Sequence, residues 1–319
     1  MKIIFMGTPE FAVPSLKLLY FAEAVEVLAV LTQPDRPKGR GKKLQPSPVK
    51  QFALEHDIPV YQPARLRKDQ ETLNFLKSSG ADIFVTVAFG QILSKEVLDI
   101  PPYGTVNLHA SLLPKYRGAN PIQWAIINGD TSTGITTMLT EEGVDCGDMI
   151  LKQEIPISLE TDTIQLSKEM SEIGARVLLE SLLGLYEGAI TPVKQDHEQA
   201  TKAPKLTKEK GNINWEETTY NIHNLIRGSK PWPGSYTSFN DSTLKVSTSS
   251  IPVSSEKEPG EEPGMIKEIS KHAIRVTTGD AYIDIVMIQP PNKAVMKAVD
   301  WARGARVQPG DKFNFKQES

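Results

Sequence analysis

Asn107 and His109 stand two residues apart in the stretch GTVNLHA. In a strand, residues two apart share a face. The amide and the imidazole therefore project together near the carboxyl end of what reads as a strand. An amide beside an imidazole can donate two hydrogen bonds to an oxygen that gains negative charge, as a tetrahedral intermediate of acyl transfer requires. Spacing alone leaves a second reading open, with His109 a satisfied polar residue near a sheet edge and Asn107 a turn cap. Asp145 lies between Gly143 and Gly147 in TEEGVDCGDMI, where glycines permit a tight, irregular loop. A carboxylate that approaches His109 from such a loop favours the protonated, donating imidazole. An Asx-turn residue bonded to its own backbone is the alternative for Asp145.

These groups need elements to hold them. KIIFMG, VEVLAVLT, PVYQP, ADIFVTVAFG and GTVNLHA read as strands. FAVPSLKLLYFA, SPVKQFALEHD and DQETLNFLKSSG read as helices between them, with Ser47 and Asp69 as N-caps and Gly80 as a stop. This alternation predicts an α/β fold with an open, mostly parallel, Rossmann-like sheet covered by helices on both faces. Such sheets place ligands at the carboxyl ends of their strands. GITTMLT and DMILKQEIPI add a hairpin-like pair, and a long helix after them closes a first domain over 1–188. The polar, Pro- and Lys-containing stretch 189–211 reads as a linker. Over 212–319, one helix (ETTYNIHNLIRGSKPWPG) and a series of short strands predict a smaller antiparallel, OB-like β-barrel. Ser254 to Gly264 reads as a flexible acidic connection within it.

Composition narrows the function classes. A chain of 319 residues, 39% hydrophobic and 24% charged, suits two ordinary globular domains. No apolar run approaches the roughly 20 residues of a membrane helix, and the N-terminal stretch does not read as a signal peptide. One cysteine, Cys146, excludes an internal disulfide, and five scattered histidines offer no metal-ligand spacing. A cytoplasmic, metal-free protein without a membrane partner is expected, with a monomer as the working assumption. Gly7 stands alone without G-x-G-x-x-G, which disfavours a dinucleotide enzyme, and GRGKK lacks the P-loop spacing. The net charge is −3, yet QPDRPKGRGKKLQPSP concentrates Arg36, Lys38, Arg40, Lys42 and Lys43. A solvated loop is one reading. The other is a mobile nucleic-acid arm that orders on binding phosphates, placed on the same carboxyl edge as Asn107 and His109.

NLHASLLPKYRG followed by DCGDM resembles the folate-dependent formyltransferases, which share an Asn…His…Asp triad and a Ser-Leu-Leu-Pro signature. KIIFMGTPEFA, QPDRPKGRGKK, ADIFVTVAFGQIL, RGANPIQWAIINGD and PWPG extend the resemblance over essentially the whole chain. Cys146 departs from it, because a small or hydroxylated residue is expected beside the aspartate.

The resemblance implies an enzyme that moves the formyl group of 10-formyltetrahydrofolate to the α-amine of initiator methionyl-tRNA for translation initiation. Asn107 and His109 would stabilise the oxyanion, and Asp145 would orient and charge His109 and relay the amine's proton through a water. Attack would be direct, since an α-amine with a pKa of about 8 is partly neutral near pH 7. A thiol role for Cys146 is disfavoured by the carboxylate beside it. The folate pocket would use Phe89, Gly90, Ile92 and Leu93 after a buried strand, with the Ser111-Leu112-Leu113-Pro114 turn lining it. Core packing competes for these apolar residues, for Leu93 above all. The basic loop would bind tRNA, with Arg40 its leading contact. In the barrel, Arg227, Lys230, Lys245, Arg303 and Arg306 would form a stripe against RNA, or the barrel would merely act as a spacer. Trp232 and Trp301 are expected in its core. A formyltransferase for a small amine is one rival, though it would need neither the basic loop nor the second domain. A non-catalytic RNA-binding protein on the same fold is the other, and the intact Asn107, His109 and Asp145 argue against it.

Overall fold

The computed structural model describes residues 1–38, 43–253 and 257–316. The chain divides into two compact units, 1–121 with 133–156 and 167–203, and 122–132 with 157–166 and 204 onward.

In the first unit, β1 (Lys2–Gly7), β2 (Glu26–Leu31), β5 (Val60–Tyr61), β6 (Ile83–Val87), β7 (Thr105–His109), β9 (Ser132–Leu139) and β10 (Met149–Pro156) form one sheet, in the order β10-β9-β7-β6-β1-β2-β5. The pairings β1–β2, β1–β6, β2–β5 and β6–β7 are parallel, and β7–β9 is antiparallel. The continuous apolar runs of β1 and β6 follow from burial on both faces. Helices α1 (Val13–Phe21), α2 (Pro48–Glu55) and α3 (Gln70–Ser78) alternate with these strands, and the short α4 (Lys95–Leu98) follows β6. Ser47 Oγ accepts from Lys50 N–H at 3.1 Å and Asp69 Oδ1 from Thr72 N–H at 3.0 Å, as their N-cap sequences require. Each such cap stabilises its helix by about 1 kcal/mol. Ile4, Met6, Leu31, Phe84 and Leu76 pack into one core under these elements. The strand order turns back between β1 and β6, so the carboxyl ends of β1, β6 and β7 meet on one edge.

The two flanks of the basic loop form regular structure. Arg36–Lys38 (β3) and Lys43–Gln45 (β4) pair as an antiparallel ribbon, with Arg36 opposite Gln45 and Pro37 opposite Leu44. Backbone pairing gives the flanks of the loop a fixed form that charge patterning does not reveal. Arg40 and Lys42 fall outside the described residues.

Of the stretch 189–211, residues 189–203 belong to the first unit. Val193 exchanges two 2.8 Å backbone hydrogen bonds with Met149, and Lys202–Ala203 (β11) pairs in parallel with Arg117–Gly118 (β8). Its polar composition reflects an exposed surface rather than a free backbone. The helices α5 (Pro121–Ile127) and α6 (Thr163–Tyr186) complete the elements that precede the second sheet. Among the described residues no helix is long and apolar enough to cross a membrane.

The second unit contains α7 (Thr219–Gly228) and an antiparallel sheet of β12 (Ser235–Phe239), β13 (Ser242–Ser250), β16 (Tyr282–Gln289), β15 (Ile274–Thr277) and β14 (Ile266–Ile269), with β17 (Met296–Lys297) beside β16. α7 stops at Gly228, short of Pro231 and Pro233, which cannot continue a helix. The chain after α8 (Ala298–Ala305) closes the sheet. Asn314 bridges to Ser238 of β12, while Phe313 N–H and Gly310 N–H reach Gly264 and Ile266 at the start of β14. Both edges are thereby covered, which is how barrels remove the hazard of an open strand. Trp215, Phe239, Phe313 and Ile283 centre its core.

Three expectations for this unit are corrected. Trp301 packs on Phe313 and Phe239, but Trp232 is 51% exposed. The turn that carries Trp232 closes through Gly234 N–H to Ser229 C=O, and the small Ser229 and Ser235 take its inner side. The acidic stretch is anchored over 257–264. Lys267 pairs with Glu258 and Glu261, Tyr282 donates to Glu261, and Lys312 pairs with Glu262. Arg227 does not join a surface stripe, because its side chain is buried and donates to Asn224 Oδ1 and to the carbonyls of Ser158 and Thr161. Lys230 pairs with Asp162 at 3.0 Å, whereas Lys245, Arg303 and Arg306 are exposed.

Candidate active site

The structure brings Asn107, His109 and Asp145 together at the carboxyl edge of β7. Asn107 lies opposite Thr86 of β6 in the parallel register. The Thr86 hydroxyl donates to Asn107 Oδ1 at 2.9 Å, so the amide nitrogen is the end left to donate elsewhere. His109 is buried, with Nε2 2.9 Å from the Tyr116 carbonyl and Nδ1 3.6 Å from Asp145 Oδ2. A carbonyl can only accept, so Nε2 carries the hydrogen and Nδ1 faces the carboxylate. The sequence reading has His109 aim an N–H at the substrate. In this arrangement that N–H is held by Tyr116, itself in the left-handed region at φ 61°.

Asp145 Oδ2 accepts the Gly118 N–H at 2.8 Å, across 27 residues of sequence, and so is not consumed by an Asx turn. The left-handed residue of its loop is Asp145 itself, at φ 49°, rather than a flanking glycine. Aspartate tolerates that conformation better than most residues. Gly147 serves a different need, because a Cβ there would overlap the Leu139 carbonyl oxygen. Gly143 lies against Cys146, whose Sγ occupies the space that an added Cβ would need.

The Ser111-to-Pro114 turn is held from below. Thr136 Oγ1 donates to Ser111 C=O at 2.7 Å and accepts Leu113 N–H at 3.0 Å. Ser111 Oγ donates to Lys115 C=O at 2.6 Å, and Lys152 Nζ to Leu113 C=O at 2.7 Å. Ser111 and Leu113 are buried, which leaves Leu112 and Pro114 partly accessible.

The 89–93 segment splits in the same way. Phe89 and Leu93 turn into the core of the first unit, as the packing alternative holds, while Gly90 is exposed and Ile92 is 84% exposed. Ala88 at φ 49° and Gly90 at φ 80° turn the backbone outward at the carboxyl end of β6. The Phe89 carbonyl is fixed by Thr8 Oγ1 and Gln33 Nε2, each at 3.2 Å. Bare backbone beside an exposed isoleucine suits a flat, amide-like ring.

The base of the basic ribbon is fixed too. Lys50 Nζ reaches Asp35 Oδ2 at 2.7 Å and Gln62 Nε2 reaches Asp35 Oδ1 at 2.8 Å. The Lys50 hydrogen bond, with that of Gln62, holds the Asp35 carboxyl below its usual range. Arg36 beyond it is exposed. Among the described residues no group of three His, Cys, Asp or Glu residues could hold a metal ion.

Residues 1–182 match the formyl transferase family, and residues 205–306 match its C-terminal domain. The chain belongs to the formyl transferase family. It is 49% identical to a methionyl-tRNA formyltransferase of Clostridium perfringens, over 97% of this chain and 99% of that protein. It is 48% identical to a methionyl-tRNA formyltransferase of Clostridium acetobutylicum, over 97% of this chain and 98% of that protein. Its fold is shared by a sugar 3N-formyl transferase solved in the presence of dTDP and 5-N-formyl-THF, with a TM-score of 0.68, at 21% identity over 92% of this chain and 99% of that one.

Sequence reasoning missed three members of the site. Thr86 reads as one residue of an apolar strand, Gly118 as part of a polar loop, and Gln195 as part of a linker. A lone threonine within IFVTV was the one available signal, since a hydroxyl inside a buried strand needs a partner.

Proposed function

We propose that this chain transfers a formyl group from 10-formyltetrahydrofolate to the α-amino group of methionine on initiator methionyl-tRNA. One observation carries the reading. The likeness to methionyl-tRNA formyltransferases spans nearly the full length of both partners, second unit included. The folate co-substrate supplies the one-carbon unit. The exposed Ala88, Gly90 and Ile92 would hold its ring, together with the partly accessible Leu112 and Pro114.

The chain's own groups do the rest. Asn107 donates its amide N–H to the formyl oxygen as that oxygen gains charge, with Thr86 keeping the amide the right way round. His109 adds a second N–H by exchanging the Tyr116 carbonyl for the same oxygen. Asp145 holds His109 in orientation, takes the amine's proton through a water, and returns it to the folate nitrogen as the bond from that nitrogen to the formyl carbon breaks and tetrahydrofolate leaves. The amine needs no covalent relay, because proximity and oxyanion stabilisation carry most of the rate. Arg36, Lys38, Arg40, Lys42 and Lys43 close on the phosphates of the acceptor end, and the barrel over 212–319 contacts the body of the tRNA. On this reading the reaction belongs to translation, in the cytoplasm, with 1–188 as the catalytic domain.

A formylation assay with charged initiator tRNA, uncharged tRNA and small amines, including an amino sugar nucleotide, tests the reading. Transfer to charged initiator tRNA alone is expected. Faster transfer to the amino sugar nucleotide would overturn it.

A further inference from the structure

Asp145 combines an uncommon backbone conformation with a carboxylate that must face two partners. At φ 49° a non-glycine residue persists only where its surroundings hold it. Much of that hold comes from one side chain on the stretch whose composition reads as a linker. Gln195 Nε2 donates to the Asp145 carbonyl at 2.9 Å and to the Gly147 carbonyl at 2.8 Å. The amide nitrogen has two hydrogens, and each has its own acceptor on either side of the turn.

The amide cannot be reversed. Gln195 Oε1 accepts from Arg117 Nε at 3.1 Å and from Arg117 Nη2 at 2.6 Å, and a guanidinium can only donate. Arg117 Nη2 also donates to His197 Nδ1 at 3.0 Å. Arg117 immediately precedes Gly118, whose N–H holds the Asp145 carboxylate. One buried amide therefore joins the backbone that carries the carboxylate to the backbone that carries its donor. The Val193–Met149 backbone pair sets Gln195 beside the turn.

We propose that Gln195 is a positioning residue for Asp145, fixing the carboxylate against Gly118 and His109 by clamping both carbonyls of the 145–147 turn. This rests on the proposed formyl transfer for its kinetic readout alone. Glutamate at this position keeps the shape and the Arg117 contact but cannot donate to either carbonyl. Methionine keeps the length and removes both functions.

The test uses the full chain with Gln195→Glu, Gln195→Met and Arg117→Lys. In steady-state formylation, Gln195→Glu is expected to lower kcat at least 10-fold while KM for the formyl donor stays within about 2-fold, as for an interaction that matters in the transition state. Arg117→Lys, which retains the charge and one donor, is expected to lower kcat by a smaller factor. It also carries the test if a Gln195 variant does not fold. The second readout is the amide proton resonance of Gly118 by NMR, which reports whether the carboxylate still accepts from it. An upfield displacement in each folded variant is expected. A kcat within 2-fold of the parent, or a lower kcat with the Gly118 resonance in place, overturns the proposal. The resonance is read without any substrate, so a parent chain that fails to formylate methionyl-tRNA would sink the functional reading while leaving the positioning role open to test.

Discussion

The hydroxyl of Thr86 donates to Oδ1 of Asn107 at 2.9 Å, across the parallel pair β6–β7. That bond decides which end of the amide faces outward. Thr86→Val keeps the shape of the strand and removes the bond. The loss of a neutral hydrogen bond is worth about 1 kcal/mol, or roughly 5-fold. kcat is expected to fall by that factor with KM for the formyl donor little changed. Steady-state kinetics checks it, and an unchanged kcat would show that Thr86 does not set the amide.

Asn107→Ala removes an oxyanion donor outright. A ~100- to 1,000-fold loss of kcat is expected, the usual cost of deleting one such donor. His109→Ala is expected to lose at least as much, because it also releases Asp145. Near-normal turnover in either variant rules out the assignment.

Gly147→Ala would drive a methyl into the Leu139 carbonyl oxygen, which belongs to the backbone and cannot step aside. A loss of ~1–3 kcal/mol is expected from overpacking. Thermal unfolding of the variant measures it. Gly304→Ala is the control, since nothing lies within 4 Å of an added Cβ there.

Arg36 and Arg40 are assigned to phosphates rather than to chemistry. Each alanine substitution is expected to raise KM for charged tRNA and leave kcat alone. The slope of log KM against log salt should shrink by ~0.7–0.9 for each phosphate that is no longer neutralised. An unchanged salt slope would return the ribbon to a solvated surface feature.

His223 lines a cleft of about 300 Å³ in the second unit, with Ser249 Oγ at 2.9 Å from Nδ1 and the Leu159 carbonyl at 2.9 Å from Nε2. Burial lowers its pKa. The Leu159 hydrogen bond and Glu160 oppose that shift, and Arg227 and Lys230 reinforce it. The unfolded chain therefore takes up a proton near pH 6.5 before the folded one does, so this contribution to stability is present above pH 6.5 and lost as pH falls below it. The melting temperature is expected to drop from pH 7 to pH 5, and less steeply in His223→Gln. Equal slopes in parent and variant would refute the assignment.

Much of this protein is local in origin. The strand and helix alternation, the Ser47 and Asp69 caps and the stop before Pro231 follow from periodicity and from single residues with fixed conformational preferences. The residue types at 107, 109 and 145 offered an oxyanion site as one reading beside a turn cap and an Asx turn, and the resemblance carried by NLHASLLPKYRG and DCGDM was needed to choose it. Their partners were not local. Gln195 reaches Asp145 across 50 residues and Arg117 across 78. The exposure of Trp232 and the burial of Arg227 reverse what their side-chain types suggest. Sequence patterns report how one segment divides between core and water. Which buried carbonyl a given amide must satisfy is decided only when distant segments are brought together, and at this site that choice holds the carboxylate in place.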